Sequence, residues 1–591
     1  MNRACEPDGV EDGPDFLGGV AAARRRIRVA LGQEPGDLLI SGGQVVNVFN
    51  RRVEPADVVI ADGRIAGVGC YEWRASRTLP AEGLVLLPGL IDAHMHLEST
   101  LLTPAELARL IVPMGTTAMI SDSHEVANVL GIPGIDMLAQ AGAGLPLDVF
   151  FMASSCVPAT HWEDAGAALG PAEVRALLAR PHVLGLAEVM DIPAVLDANP
   201  DVLEKVEAAL RARTVADGHA PALSGRELIA YAGAGIRSDH ESTTVEEARA
   251  KAGLGMLVQV REGSSARNLA ALLPLLAGGE LDESWCLATD DIFPDDLRRH
   301  GHLDGLLRRL VAGGVAPAVA VRHAAYVPAR HYGLVDRGAV APGYRADIVM
   351  VEDVRDFRVR TVIKDGRIAA RDGRCLDHGD APRLDPHNTV HLPPLDEGTF
   401  RLPLAHETCP VIEIVPGQIV TRRTSRSVRR VDGHWAFDPE RDVVLIASIE
   451  RHRASGRIGL GLVSGLGLTH DGALGSSVAH DSHNLIIAGT NARDMLVCAR
   501  AMAEHGGGFV AAAGGSVRAL LPLPVAGLLS LADADTVCRQ LNEVNHAARA
   551  LGCPLEAPFG TLSFLALPVI PELRITTRGL FDVREQSFLR L

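Results

Sequence analysis

Six residues spread over almost two hundred positions could do chemistry together: His94, His96, Glu188, His219, His240 and Asp290. Four imidazoles and two carboxylates are the donor types that hold borderline divalent metals such as Zn, Mn or Fe. His94 and His96 stand two apart on what reads as an extended chain, which turns both imidazoles to one face. Six donors suit two ions bridged by a carboxylate and a water better than they suit one. Two ions sharing a water lower its pKa and supply a hydroxide nucleophile near neutral pH. A lone histidine at a strand end is more often an ordinary hydrogen-bonded residue. Six donors that recur at one kind of position are hard to obtain by chance.

That position is the end of a strand. From Leu84 to about Asp291, apolar runs alternate with Ala/Leu-rich helical stretches, the pattern of parallel β/α units. Eight runs can be counted: Leu84–Asp92, Thr116–Asp122, Asp148–Ser154, Val183–Val189, Val215–His219, Gly235–His240, Met256–Arg261 and Trp285–Asp290. His94 and His96 follow the first, Glu188 sits late in the fourth, and His219, His240 and Asp290 end the fifth, sixth and eighth. Eight such units predict a closed (β/α)8 TIM barrel, whose strand C-termini converge on one mouth. Asp122 and His124, at the end of the second strand, face that mouth too. Glu98 and Glu125 are weaker candidates, each readable as a helix-start residue near the site.

The barrel is flanked by strand-and-turn texture on both sides. Asp62-Gly63 and Asp365-Gly366 each separate two short β runs, and this dipeptide favours the positive φ of a tight hairpin. A barrel inserted into a small β-sandwich built from both flanks explains the split. We expect an N-terminal extension over 1–35 with a short helix near Arg24–Leu31, and sandwich segments at 36–84 and 336–395. The barrel is expected over 85–335 and a C-terminal α+β domain over 396–591. The Pro- and Asp-rich stretch from about 375 to 400 reads as a linker.

Composition limits the partners. The 591 residues are 47% hydrophobic and 22% charged, the balance of a globular protein, and length alone implies several domains. A net charge of −16 argues against a nucleic-acid partner. The basic run Arg422–Arg430 reads as a solvated loop or sheet edge. Nine scattered cysteines without a CxxC pair fit a reducing cytoplasm. Met1–Asp15 lacks the basic start and apolar stretch of a signal peptide. Ala519–Ala532, interrupted by Pro522 and Pro524, is too short to cross a bilayer. No membrane association is expected. The low charge density of the C-terminal domain leaves room for a homodimer.

Pro88-Gly-Leu-Ile-Asp-Ala-His-Met-His resembles the entry motif of the amidohydrolase superfamily. Gly338-Ala-Val-Ala-Pro-Gly-Tyr-Arg-Ala-Asp-Ile-Val resembles the segment that closes its barrel. Many members bridge their metals with a carboxylated lysine on the fourth strand. Here the three lysines, Lys205, Lys251 and Lys364, lie elsewhere, and Glu188 in Gly185-Leu-Ala-Glu-Val-Met takes that place. This departure is similar to the adenine deaminase branch. So are His96-Leu-Glu-Ser-Thr, Ser121-Asp-Ser-His-Glu, Ser238-Asp-His-Glu-Ser, Ala288-Thr-Asp-Asp and a domain beyond residue 400.

The resemblance implies hydrolytic deamination of a purine base by a metal-activated hydroxide, with two divalent ions, Mn or Fe favoured and Zn possible. Another amino- or amide-bearing nitrogen heterocycle is the alternative substrate. It gives Asp290 the proton-transfer role, with Glu188 and His240 beside it. Asp122 either assists proton transfer, holds a purine nitrogen, or orients a ligand imidazole. His124 and Glu98 are candidate substrate contacts. So are His480, Asp481 and His483 in the C-terminal run Ala479-His-Asp-Ser-His-Asn, read as folding over the barrel mouth. Gly465-Leu-Gly-Leu-Thr-His-Asp-Gly carries the same reading. His300-Gly-His302 has metal-pair spacing without a preceding strand, and reads as a loop.

Overall fold

A computed structural model describes residues 18–380 and 382–591. Most of the expected N-terminal extension, residues 1–17 with the leader just discussed, lies outside the described residues. The chain divides into two compact units.

The first unit comprises residues up to Ile91, Val112–Thr117 and Leu307–Asp377. It holds a four-stranded sheet ordered Arg64–Gly69, Asp57–Ala61, Gly36–Ser41, Ala75–Pro80. A seven-stranded sheet runs from Arg374–Cys375 through Ile348–Val351 and Val85–Pro88 to Arg52–Pro55. Alternate residues of both sheets meet in one core, with Leu38, Ile40 and Ile60 against Leu86, Ile348 and Ile363. Both Asp-Gly turns adopt positive φ, 53° and 70° at Asp62-Gly63 and 50° and 75° at Asp365-Gly366. The helix expected near Arg24–Leu31 spans Gly19–Ala30 and packs Val29 against Val59 and Ala61.

The second unit carries two parallel sheets. One has the order Val215–Gly218, Val183–Val189, Asp148–Ala153, Thr116–Asp122, Leu90–Met95; the other is Ser238–Asp239, Leu257–Arg261, Trp285–Ala288. Strand Thr116–Asp122 is buried along its whole length, as expected of a parallel strand covered on both faces. Backbone hydrogen bonds link the sheets at both edges. Arg237 N–H donates to Ala216 O at 2.9 Å, and Asp290 N–H to His94 O at 3.0 Å.

Four expected strands are shorter by one or two residues, as Asp148–Ala153, Val215–Gly218, Leu257–Arg261 and Trp285–Ala288. This puts His219 and Asp290 just past their strands. Two others differ more. Leu84–Asp92 is two strands, Val85–Pro88 and Leu90–Met95, because the chain changes partners at Pro88-Gly89. Pro88 has no N–H to continue the ladder. Gly89 donates to Asp347 O at 2.8 Å, and Leu90 then turns to Gly115 O at 3.0 Å. His94 therefore sits within a strand rather than after one. Gly235–His240 shortens to Ser238–Asp239, leaving His240 just beyond the pairing.

The C-terminal part of this unit is built on an eight-stranded sheet. The basic run forms its edge strand Thr421–Ser427, whose arginines face solvent or pair with Glu413 and Asp582. Helix Ala492–His505 buries Met495, Cys498 and Met502 against Ala447, Ile487 and Val510. Asn491 caps its start by accepting from Asp494 N–H, and Gly506 at φ 73° ends it. The described cysteines are free. No helix of the described residues is long and apolar enough to cross a membrane.

A Cβ at Gly89 would run into Thr117 Oγ1. Gly89→Ala should therefore destabilise the protein by about 1–3 kcal/mol through overpacking. Thr117→Ala in the same chain should recover part of that loss. A thermal melt of the single and double variants checks it, and an unchanged midpoint for Gly89→Ala would refute the packing argument.

Candidate active site

The six donors meet in the second unit, and each is at least nine-tenths buried. His94 and His96 project from the end of one strand with ring centroids 5.1 Å apart. His94 also stacks on His240 at 4.2 Å. Glu188 Oε2 lies 2.8 Å from His219 Nδ1 and 3.2 Å from His240 Nε2. Its other oxygen lies 3.4 Å from His96 Nε2. The two oxygens of one carboxylate thus face different imidazoles. Asp290 Oδ1 is 3.4 Å from His94 Nε2 and 3.3 Å from His96 Nε2.

Several of these contacts are too long for good hydrogen bonds yet fit a shared cation. Ligand atoms about 2.1 Å from a tetrahedral ion sit roughly 3.4 Å from one another. The groups His94–Glu188–His240 and His94–His96–Asp290 each bring their donor atoms within 4.8 Å. His94 Nε2, which faces Asp290, is buried without a hydrogen-bond partner. Buried polar atoms rarely remain unsatisfied, so the donor set fits a divalent metal.

Electrostatics point the same way. Burial opposes the charged His96 imidazole, but Asp291, Asp290 and Glu188 outweigh it and raise its proton affinity well above the usual histidine value. Burial likewise opposes ionised Glu188, yet His240, His219 and His96 hold its carboxyl well below the ordinary range. Asp290 is held low against burial by Arg261, His94 and His96. These carboxylates need positive charge, and protons or a cation can supply it.

Asp290 stands at φ 60°, left-handed backbone that is uncommon outside glycine. Its peptide is held by N–H donation to His94 O at 3.0 Å. Arg261 ion-pairs with the Asp290 carboxylate through one Nη, and through the other reaches Glu241 Oε2 at 2.7 Å. Glu241 Oε1 lies 3.5 Å from both His219 and His240. Sequence reasoning missed Arg261, Glu241 and Asp291. Each adjoins a residue it did single out or ends a counted strand, and that adjacency was the available signal.

The structure gives the secondary candidates distinct stations. His124 lines the pocket, with Nδ1 2.9 Å from Asp122 Oδ1 and Nε2 3.6 Å from Asp481 Oδ1. Asp122 lies behind it, accepting from His124 N–H at 3.1 Å and Glu188 N–H at 3.2 Å. Glu98 is buried below the helix His124–Leu130, where it accepts from Val126 N–H at 3.0 Å. Burial and nearby Glu125 push its carboxyl up to about 7.

The C-terminal run reaches the same pocket. His480 and Asp481 line it, while His483 sits behind, bonded to Glu125. Glu125 also meets His480 Nδ1 at 2.8 Å, so this residue joins the two parts of the site. Thr469-His470-Asp471 of the glycine-rich run is exposed and does not join them. His302 is buried with Nε2 2.9 Å from Asp92 Oδ2. Asp92 also accepts from the Thr289 hydroxyl at 2.6 Å, bracing the strand end that carries His94. The remaining wall is apolar, formed by Met190, Ile419, Phe564, Leu567 and Ile570.

Known proteins can be set beside this geometry. Residues 85–369 match the amidohydrolase family, and residues 418–587 match the adenine deaminase C-terminal domain. An adenine deaminase of Nitratidesulfovibrio vulgaris is 46% identical over 569 residues, 95% of this chain and 97% of that protein. One from Desulfatibacillum aliphaticivorans is 42% identical over 96% of this chain and 99% of that one. One from Methanothrix thermoacetophila is 44% identical over 95% of this chain and 97% of that one. A solved dihydropyrimidinase from Brevibacillus agri shares 16% identity and a TM-score of 0.45, over 58% of this chain and 97% of that one. Two matched domains and three relatives aligned nearly end to end give one conclusion: the chain belongs to the adenine deaminase family of amidohydrolases.

Proposed function

We propose that the protein hydrolyses adenine at C6, with water entering and ammonia leaving, to give hypoxanthine. The observation that carries this reading is the convergence of six buried donors in a chain similar to adenine deaminases along almost its whole length. Another amino- or amide-bearing nitrogen heterocycle is the alternative substrate, since such a donor set readies water for any suitable electrophile.

The family uses divalent metal, and His94, His96, Glu188, His219, His240 and Asp290 are the residues we assign to hold two ions. Mn or Fe is favoured and Zn is compatible with the same donors. When bound, the ions supply Lewis acidity and an activated water. Glu188, whose oxygens face different imidazoles, would help hold them from between His96 and His219. Asp290 takes the proton of the attacking water and delivers it to the ring or the departing amine. Arg261 keeps that carboxylate oriented. His240 polarises the reacting centre beside it.

His124, His480 and Asp481 line the pocket and are assigned to the nitrogen edge of the ring. Glu98 and His483 support them from behind. Asp122, bonded to His124 and to the Glu188 backbone, acts by orienting an imidazole.

The linked parallel sheets support a closed (β/α)8 barrel, and the shared core of the first unit supports a β-sandwich built from both flanks. The division at 1–35, 36–84, 85–335, 336–395 and 396–591 goes with that architecture. Free, scattered cysteines support a cytoplasmic setting, and a homodimer with no nucleic-acid or membrane partner completes the reading.

Protein stripped by chelation should release no ammonia from adenine and should recover on addition of Mn(II) or Fe(II). Glu188→Gln should not recover, and full activity without metal would contradict the assignment. In metal-loaded protein, Asp290→Asn should lower kcat by about 10²–10⁴-fold, the usual contribution of general acid–base catalysis; a loss under about threefold in steady-state assays would remove Asp290 from proton transfer. His94, His96 and His219 carry raised proton affinities without metal, whereas a ligand imidazole must be neutral. Metal added to stripped protein in weak buffer at neutral pH should therefore release protons, and apparent affinity should rise with pH. A pH-stat trace with no release would count against metal entry here.

A further inference from the structure

Arg574 is fully buried, and its guanidinium meets no carboxylate among the described residues. It donates instead to four backbone carbonyls. Nε reaches Ile570 O at 2.7 Å, one Nη reaches Phe564 O at 2.8 Å, and the other reaches Ile419 O at 2.8 Å and Pro571 O at 3.0 Å. A buried charge satisfied by carbonyls alone is costly. Phe564 O and Pro571 O also accept from Leu567 N–H and Thr421 N–H, so removing the guanidinium would loosen the wall without leaving every carbonyl unpaired. Three of the four belong to Ile419, Phe564 and Ile570, which form the apolar wall of the metal-ligand pocket. The wall is assembled from chain segments 155 residues apart, which Arg574 joins at Ile419 while Thr421 bonds alongside to Pro571, Glu572 and Leu573.

The rest of the pocket is imidazole and carboxylate. A flat heterocycle has polar edges and apolar faces, so its faces need surface that the donor floor does not offer. Phe564 supplies it. The ring is half-buried, stacks on His480 at 4.4 Å with planes 20° apart, and also lines the larger cavity that shares Ser265 with the pocket.

We propose that Phe564 is a specificity-determining residue that stacks on the face of the substrate ring, and that Arg574 is the positioning residue that clamps it there. The proposal rests on the reading of the pocket as a site for a flat nitrogen heterocycle.

The test compares metal-loaded wild type with Phe564→Ala, Phe564→Tyr, Arg574→Met and Arg574→Lys, measuring bound metal, kcat and KM for adenine. Loss of one base-stacking ring should raise KM about tenfold in Phe564→Ala, with metal content and kcat little changed. Phe564→Tyr should stay near wild type. Arg574→Met should raise KM in the same direction, and Arg574→Lys should fall between. A merely structural role would lower folded or metal-loaded protein without splitting KM from kcat. If Arg574→Met does not fold, the Phe564 pair still decides. An unchanged KM in Phe564→Ala overturns the proposal. Wild type that releases no ammonia refutes the deaminase reading separately; calorimetric binding of adenine then decides, and equal affinity in wild type and Phe564→Ala overturns the stacking wall.

Discussion

Six carboxyl groups, Glu125, Glu188, Glu241, Asp290, Asp291 and Asp481, line one pocket with a single guanidinium, Arg261. Removing a carboxylate from water without a partner costs several kcal/mol, so this concentration of negative charge is the constraint around which the unit is organised. Arg261 satisfies two of the six. His219 and His480 bond directly to Glu188 and Glu125, whereas His94 and His96 stand from Asp290 and Glu188 at distances that suit a shared cation. The site is thus a charge deficit built into the fold, and the metal of the family relieves it.

Holding such a deficit requires stiff supports. Parallel strand ends provide most of them, with Asp92 bracing the His94 strand and Asp122 tying His124 to the Glu188 backbone. The C-terminal segments reach the site as connections between strands, and buried arginines brace them. Arg451 donates to the carbonyls of His483 and Ala526, as Arg574 does to those of the pocket wall. Burial lowers both guanidinium pKa values to about 9. Two guanidinium groups bonded mainly to backbone carbonyls, with the Thr389 hydroxyl completing Arg451, hold these segments in place.

Most of the donor cluster was legible in the sequence because strand ends have a readable signature. An apolar run that stops at His219 or at Asp290 announces both the element and the residue it presents. The split at Pro88-Gly89 was misread as one strand, since hydrophobicity alone does not show a change of pairing partner. Arg261 was passed over because a strand-final arginine usually faces solvent, and only the fold reveals that this one is enclosed by Asp290 and Glu241. The wall of Ile419, Phe564 and Ile570 was invisible for another reason. Its residues are ordinary apolar ones, and their meeting depends on tertiary contacts through Arg574 and Thr421 that no periodicity encodes.

Anomalous diffraction from crystals of Mn(II)-loaded protein tests the central claim most directly. The account requires two peaks enclosed by His94, His96, Glu188, His219, His240 and Asp290, with Glu188 in contact with both. Peaks lying elsewhere, or a Glu188 carboxylate turned away from an ion-free cluster, would contradict it.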